Sequence, residues 1–198
     1  MKKILGLLCV ALLIVSCSSK QEDVAADADV NVDVVEEEVI QEETPQKVEG
    51  YYEQGLQAEK DGQYEQAIEF FSKELEENKD IKDEDKAVNL INIGYCYGKL
   101  NDFDKEFECY DKALKIIPDF PPTIFALGEH YYNKKDLDNA LKMYEKVVEA
   151  IPTFGEAYYK LALVQKDLGN DELSMINMKK AADLRDPEAL KFLEQTAQ

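Results

Sequence analysis

Small residues return at a constant interval in this chain, and that recurrence limits its fold more than any other feature. Gly55, Gly94, Gly128 and Ala162 lie 39, 34 and 34 residues apart, and Gly62, Asn101, Lys135 and Gly169 repeat the same 39, 34 and 34. Two independent sets of positions with one period mean that one supersecondary unit is repeated and buries its apolar face by stacking on its neighbours. Within Pro121 to Pro152, Ile124, Leu127, Gly128 and Tyr131 fall at i, i+3, i+4 and i+7. Leu137, Ala140, Leu141, Tyr144 and Val147 continue that spacing after a polar turn near Asn133 to Lys135. Each stripe is one face of an amphipathic helix, so the unit is a helical hairpin. Pro118 and Pro152 close the second helices, because proline lacks the amide hydrogen and clashes with the preceding turn.

This pattern resembles the tetratricopeptide repeat, a hairpin with small residues where the helices touch, aromatics beside them and a closing proline. The small slots hold Gly55, Gly94, Gly128 and Ala162 in the first helices and Ala67, Ala140 and Ser174 in the second; the late aromatic slot holds Phe71, Tyr110 and Tyr144. The resemblance implies an all-α, right-handed α-solenoid of four hairpins over residues 48–86, 87–120, 121–154 and 155–186. Residues 187–198 are expected to form a capping helix and tail, with Asp186 as N-cap, Pro187 at the first helical position, and Leu190, Phe192 and Leu193 covering the open apolar end.

Four departures stand out. Glu106 occupies a slot that is alanine or serine elsewhere; its stem is expected against Gly94 with the carboxylate reaching solvent. Glu74 replaces a small residue in the first hairpin and Met178 an aromatic in the last, as terminal repeats allow. The five extra residues between the first two hairpins fall in Lys79 to Lys86, a longer turn or an extended helix end.

The N-terminus carries a different signal. Lys2 and Lys3 precede twelve residues without a polar side chain, Ile4 to Val15. A membrane helix needs about 20, so residues 1–16 read as an export signal. Ile14-Val15-Ser16-Cys17 resembles the lipobox of bacterial lipoproteins, which implies cleavage before Cys17 and acylation of its thiol; an ordinary secretory signal is the alternative. Two or three acyl chains at about 0.8 kcal/mol per buried methylene anchor a protein firmly. Residues 18–47 contain ten acids, two lysines and no aromatic residue. Together with Cys17 they read as a disordered acidic tether, with an r.m.s. reach of about 30 Å. Valines 30, 32, 34 and 35 alternate with acids in a strand-like pattern that allows docking on another surface, though a solvated spacer is the expectation.

The formal charge of -19 becomes -21 once the two signal lysines are removed, leaving 21 basic residues against 42 acids. Such a balance excludes nucleic acid, which requires clustered lysine and arginine. With Cys9 discarded and Cys17 acylated, Cys96 and Cys109 remain. An oxidising compartment permits a disulfide, but the register does not point them at each other, and two structural thiols are expected. His130, the only histidine, has no ligand pattern around it, and neither a nucleophile elbow nor a phosphate loop is present. No catalytic site, metal or cofactor is expected.

In the tetratricopeptide family the first helix of each hairpin lines a concave face. Carried across, that face displays Tyr52, Leu56, Ile91, Asn92, Tyr95, Phe125, Glu129, Tyr132, Tyr159, Leu163 and Lys166, a strip suited to anchoring an extended or helical peptide. The competing reading is that several of these residues complete packing between hairpins. The expected function is a non-enzymatic adaptor, lipid-anchored in the bacterial envelope with the outer membrane favoured. It would bind a protein or peptide, as architecturally similar lipoproteins do in barrel assembly or secretin placement. A solute- or lipid-binding accessory of a transporter is the alternative.

Overall fold

A computed structural model describes residues 50–196. The export signal, Cys17 and the acidic tether lie outside the described residues. Within them the chain is all-helical: α1 (Tyr51–Lys60), α2 (Tyr64–Glu77), α3 (Asp83–Lys99), α4 (Phe103–Ile116), α5 (Pro121–Asn133), α6 (Leu137–Ala150), α7 (Gly155–Asp167), α8 (Asp171–Asp183) and α9 (Pro187–Thr196). Consecutive helices pack on one another along the chain, and α3 also touches α5, so the first helices of neighbouring hairpins share a face.

The period written in the sequence has a conformational cause. Gly62, Asn101, Lys135 and Gly169 all adopt positive φ, at 75°, 62°, 63° and 80°. At each, two reversed hydrogen bonds close the first helix: Lys135 N donates to Tyr132 O at 3.0 Å and Asp136 N to Tyr131 O at 2.9 Å, with equivalent pairs in the other three hairpins. This pair of hydrogen bonds satisfies otherwise orphaned carbonyls and turns the chain sharply into the second helix. In α4 and α6 the next residue then caps the helix, Asp102 accepting from Lys105 N and Asp136 from Asn139 N, both at 3.3 Å.

The small slots are where an aromatic ring lies on a helix backbone. A Cβ at Gly55 would stand 2.5 Å from Phe71, one at Gly94 2.5 Å from Tyr110, and one at Gly128 2.7 Å from Tyr144. In the last hairpin both partners change together: Ala162 faces the narrower Met178, and both are buried in one cluster with Ala181 and Ala189. Ser174, in the alanine slot, satisfies its hydroxyl by donating to Ala162 O at 2.8 Å.

The five extra residues divide between helix and turn. α3 has 17 residues where α5 and α7 have 13. The added turn opens with Asp83, Glu84 and Asp85, whose charges complement the helix N-terminus. The remaining residue lengthens the connection.

Glu106 corrects the expectation drawn from its slot. Its carboxylate does not reach solvent: the residue is only 4% exposed. Oε2 lies 2.7 Å from His130 Nδ1, and Oε1 accepts from the Tyr110 hydroxyl at 3.3 Å. Space for the carboxylate comes from Gly98, where a Cβ would stand 2.7 Å from Oε1. A buried carboxylate needs donors, and the nearest strong one is supplied by the next hairpin, 24 residues away.

Cys96 and Cys109 are free and buried in one cluster with Phe71 and Ile93, consistent with structural thiols. At the other end, Asp186 Oδ1 caps α9 by accepting from Ala189 N at 2.8 Å. Phe192 and Leu193 cover the last hairpin as expected. Leu190 does not: it is 41% exposed, and the fully buried contact is made by Ala189. One step along a helix rotates a side chain by about 100°, enough to exchange the two.

Candidate partner-binding groove

α3 and α5 place Ile91, Asn92, Tyr95, Phe125 and Glu129 around one cavity of about 350 Å³. The spacing 91, 92, 95 on α3 and 125, 126, 129 on α5 puts these positions on matching faces, and Ala126, small and buried, lets α3 approach. Tyr95 and Phe125 therefore share one surface. Tyr95 is exposed, while Phe125 is half-buried against Tyr144 and Phe154, with ring centroids 5.6 and 5.1 Å away.

The polar groups are few and placed at the edge of the apolar wall. Glu129 Oε1 accepts from Lys160 Nζ at 2.7 Å, tying α5 to α7. Glu59 also lines the cavity; burial holds its carboxyl above the ordinary range, with the Lys99 ammonium acting against that rise. Asn92 Nδ2 is buried without a hydrogen-bond partner. An amide donor left unmet in the interior costs stability.

The remaining strip residues do not line this cavity, and most of them are engaged in packing elsewhere. Tyr132 donates its hydroxyl to Asp167 at 2.7 Å, and burial first, then that hydrogen bond, pushes its pKa up to about 12. Tyr159 and Leu163 pack under α9, and Lys166 Nζ sits 5.3 Å over the Phe192 ring. Tyr52 packs at 5.8 Å from Phe71. Leu56 is exposed but does not line the cavity.

Ile151 and Phe154, in the connection between α6 and α7, complete the cavity and were missed by considering helix faces alone. Phe154 had a signal: it lies 34 residues after Phe120, so an aromatic recurs just beyond the closing proline.

Comparison with known proteins bears on this arrangement. Eighty-three residues are 32% identical to the photosystem I assembly protein Ycf3 of Prochlorococcus marinus subsp. pastoris, covering 41% of this chain and 46% of the relative. A Ycf3 from Rippkaea orientalis matches over 82 residues at 27%, again covering 46% of the relative, so the chain spans under half the length of these curated relatives. Among solved structures, MamA residues 41 to the end from Desulfovibrio magneticus RS-1 superimposes with a TM-score of 0.57 at 27% identity, over 72% of this chain and 77% of that one. A thermophilic TPR protein of Thermus thermophilus gives 0.59 at 21% identity, over 70% and 75%, a likeness of fold. Such repeats build protein-interaction scaffolds and are generally non-enzymatic. A family model for the tetratricopeptide repeat matches residues 87–120, 121–154 and 155–187, just over half of the sequence, and the chain belongs to the tetratricopeptide repeat family.

Proposed function

We propose that this chain is a membrane-tethered adaptor that holds an apolar segment of a protein partner in the α3–α5 groove. The observation that carries the reading is the groove itself: exposed Tyr95, the Phe125–Phe154 wall and the unmet Asn92 amide converge on one cavity. Large aromatic surfaces with few rotors favour binding at low entropic cost. The relatives named as photosystem I assembly proteins support a role in assembling other proteins. A partner-binding test compares crosslinked complexes from native membranes of the wild type and the Tyr95→Ala variant, Tyr95 being the exposed aromatic of the groove. Loss of a specific partner is expected, with the unfolding midpoint measured in parallel; an unchanged partner set removes the groove from the reading.

The tether belongs to the same proposal. Acylation of Cys17 would anchor the solenoid in the bacterial envelope, and Ser18 after it is compatible with outer-membrane sorting in some bacteria. Confinement within the tether's reach raises effective concentration for partners on the same membrane. Cys17→Ser is expected to abolish labelling by radioactive palmitate and to move the chain out of the membrane fraction. Retention of both signals would overturn it.

One feature favours a second reading. A 350 Å³ cavity with apolar walls is within the range for small ligands, which suits a solute- or lipid-binding accessory of a transporter. Native mass spectrometry of the purified chain distinguishes the readings by showing or failing to show a retained small molecule.

A further inference from the structure

The solvent-facing side of α8 departs from the repeat in one stripe. Leu173 is 49% exposed and Ile176 55%. One period earlier these positions hold Asn139 and Lys142, one before that Lys105 and Glu108, and in the first hairpin Gln66 and Glu69. Three hairpins therefore keep polar side chains here, and the last one turns the same positions apolar. Met175, also exposed, is a different case: its counterparts Leu141, Phe107 and Ile68 are apolar in every hairpin.

Helix geometry sets what borders the stripe. At about 100° per residue, Leu173 and Ile176 share one face, and Glu172 and Lys179 lie along one edge of it. Both charged residues are exposed, and among the described residues neither has an ion-pair partner. Two helical turns separate them, about 10 Å, which is too far for them to pair with each other.

An apolar centre with an acid at one end of its edge and a base at the other is complementary to itself turned end for end. Laid antiparallel on a second α8, Leu173 and Ile176 of one copy meet those of the other, and Glu172 of each copy comes beside Lys179 of its mate. The distribution of charge favours this part of the chain for such a contact. Residues 155–196 carry eight acids against six bases, whereas residues 50–86 carry twelve against five, so like-charge repulsion between copies is weaker where the stripe lies.

We infer that α8 is a self-association surface whose partner is the α8 of a second copy of this chain, related by a twofold axis beside Ile176. An isologous contact of this kind closes on itself and stops at two copies. Two side chains from each copy make a centre smaller than that of a standard interface, so the dimer is weak and exchanging, with a dissociation constant in the micromolar range. No residue of the stripe lines the α3–α5 groove, and the dimer does not depend on what the groove binds.

The test begins with a site-specific disulfide in the full-length chain, in the cells that produce it. Mild oxidation of Ile176→Cys is expected to give a disulfide-linked dimer, and Lys142→Cys, the same position of α6, is expected to give none; the native Cys96 and Cys109 are buried. Sedimentation equilibrium of the purified chain then reads the charge pairing. Glu172→Lys and Lys179→Glu each bring like charges together and should each weaken the dimer roughly threefold, while the two reversals combined should restore it. Ile176→Lys, which installs the residue of α6, should leave a monomer whose unfolding midpoint in dilute solution is unchanged. Equal crosslinking at positions 142 and 176, a mass that stays monomeric throughout the micromolar range, or a double reversal as weak as the single ones would overturn the assignment. Crosslinking of position 176 to a different protein in place of a second copy, or a lowered midpoint in Ile176→Lys, would overturn it as well.

Discussion

Gly128 lies beneath the ring of Tyr144 so closely that a methyl group on its Cα would stand 2.7 Å from Tyr144 Cε1. The same relationship joins Gly94 to Tyr110 and Gly55 to Phe71, and it gives way only in the last hairpin, where Ala162 is paired with Met178. Gly128→Ala should therefore destabilise despite alanine's better helix propensity, by about 1–2 kcal/mol net. Tyr144→Met should recover much of that loss in the alanine background, although it creates a void when made alone. Urea unfolding of the two single variants and the double variant measures the coupling, which additive effects would refute.

Tyr144 also carries a hydroxyl that is buried without a partner. Burial pushes that phenol's pKa upward. Phe71 fills the equivalent slot with no hydroxyl at all. Tyr144→Phe should be neutral or stabilising, by up to about 1 kcal/mol, in contrast to the usual cost of trimming a core side chain. A fall in the unfolding midpoint would mean that an ordered water satisfies the hydroxyl.

The buried pair of Glu106 and His130 predicts a non-additive result. Glu106→Ala restores the alanine of the neighbouring repeat but strips His130 Nδ1 of its acceptor, and should cost about 3 kcal/mol. Adding His130→Val, the residue type found at Val164 one period later, should recover most of it, because replacing a buried polar pair with apolar groups is often close to neutral. If the double variant is as unstable as the single one, the loss comes from the void beside Gly98 rather than from the stranded imidazole.

The two thiols predict alkaline behaviour. Burial pushes Cys96 up to about 12 and Cys109 up to about 11, against about 8.5 for an ordinary thiol. Between those values the unfolded chain has lost the protons while the folded chain keeps them, so the unfolded state binds fewer protons and stability falls as pH rises. The contribution is complete below about pH 8.5 and is lost progressively towards about pH 12. Alkylation by iodoacetamide at about pH 8 should be slow in the folded chain and fast in urea. Rapid labelling of both thiols without denaturant would contradict their burial.

Particular residues show how much of the fold and of the groove is legible in the sequence. The repeat is fully so. Gly62, Asn101, Lys135 and Gly169 mark a left-handed turn that backbone sterics impose locally, and the glycines of the first helices mark a contact within each hairpin. Both are short-range requirements, so they leave a regular imprint on the chain. Asp186 and Pro187 are legible for the same reason, since a helix N-cap is local. The Glu106–His130 pair is not, because its partners sit in different hairpins and neither residue type requires the other. Ile151 and Phe154 in the groove, the exposure of Leu190 in place of Ala189, and the binding of Tyr132 to Asp167 across 35 residues are likewise settled only when the hairpins stack. Stacking fixes which faces meet at a junction, and burial there converts an ordinary carboxylate or phenol into a group that must find its partner in the next repeat.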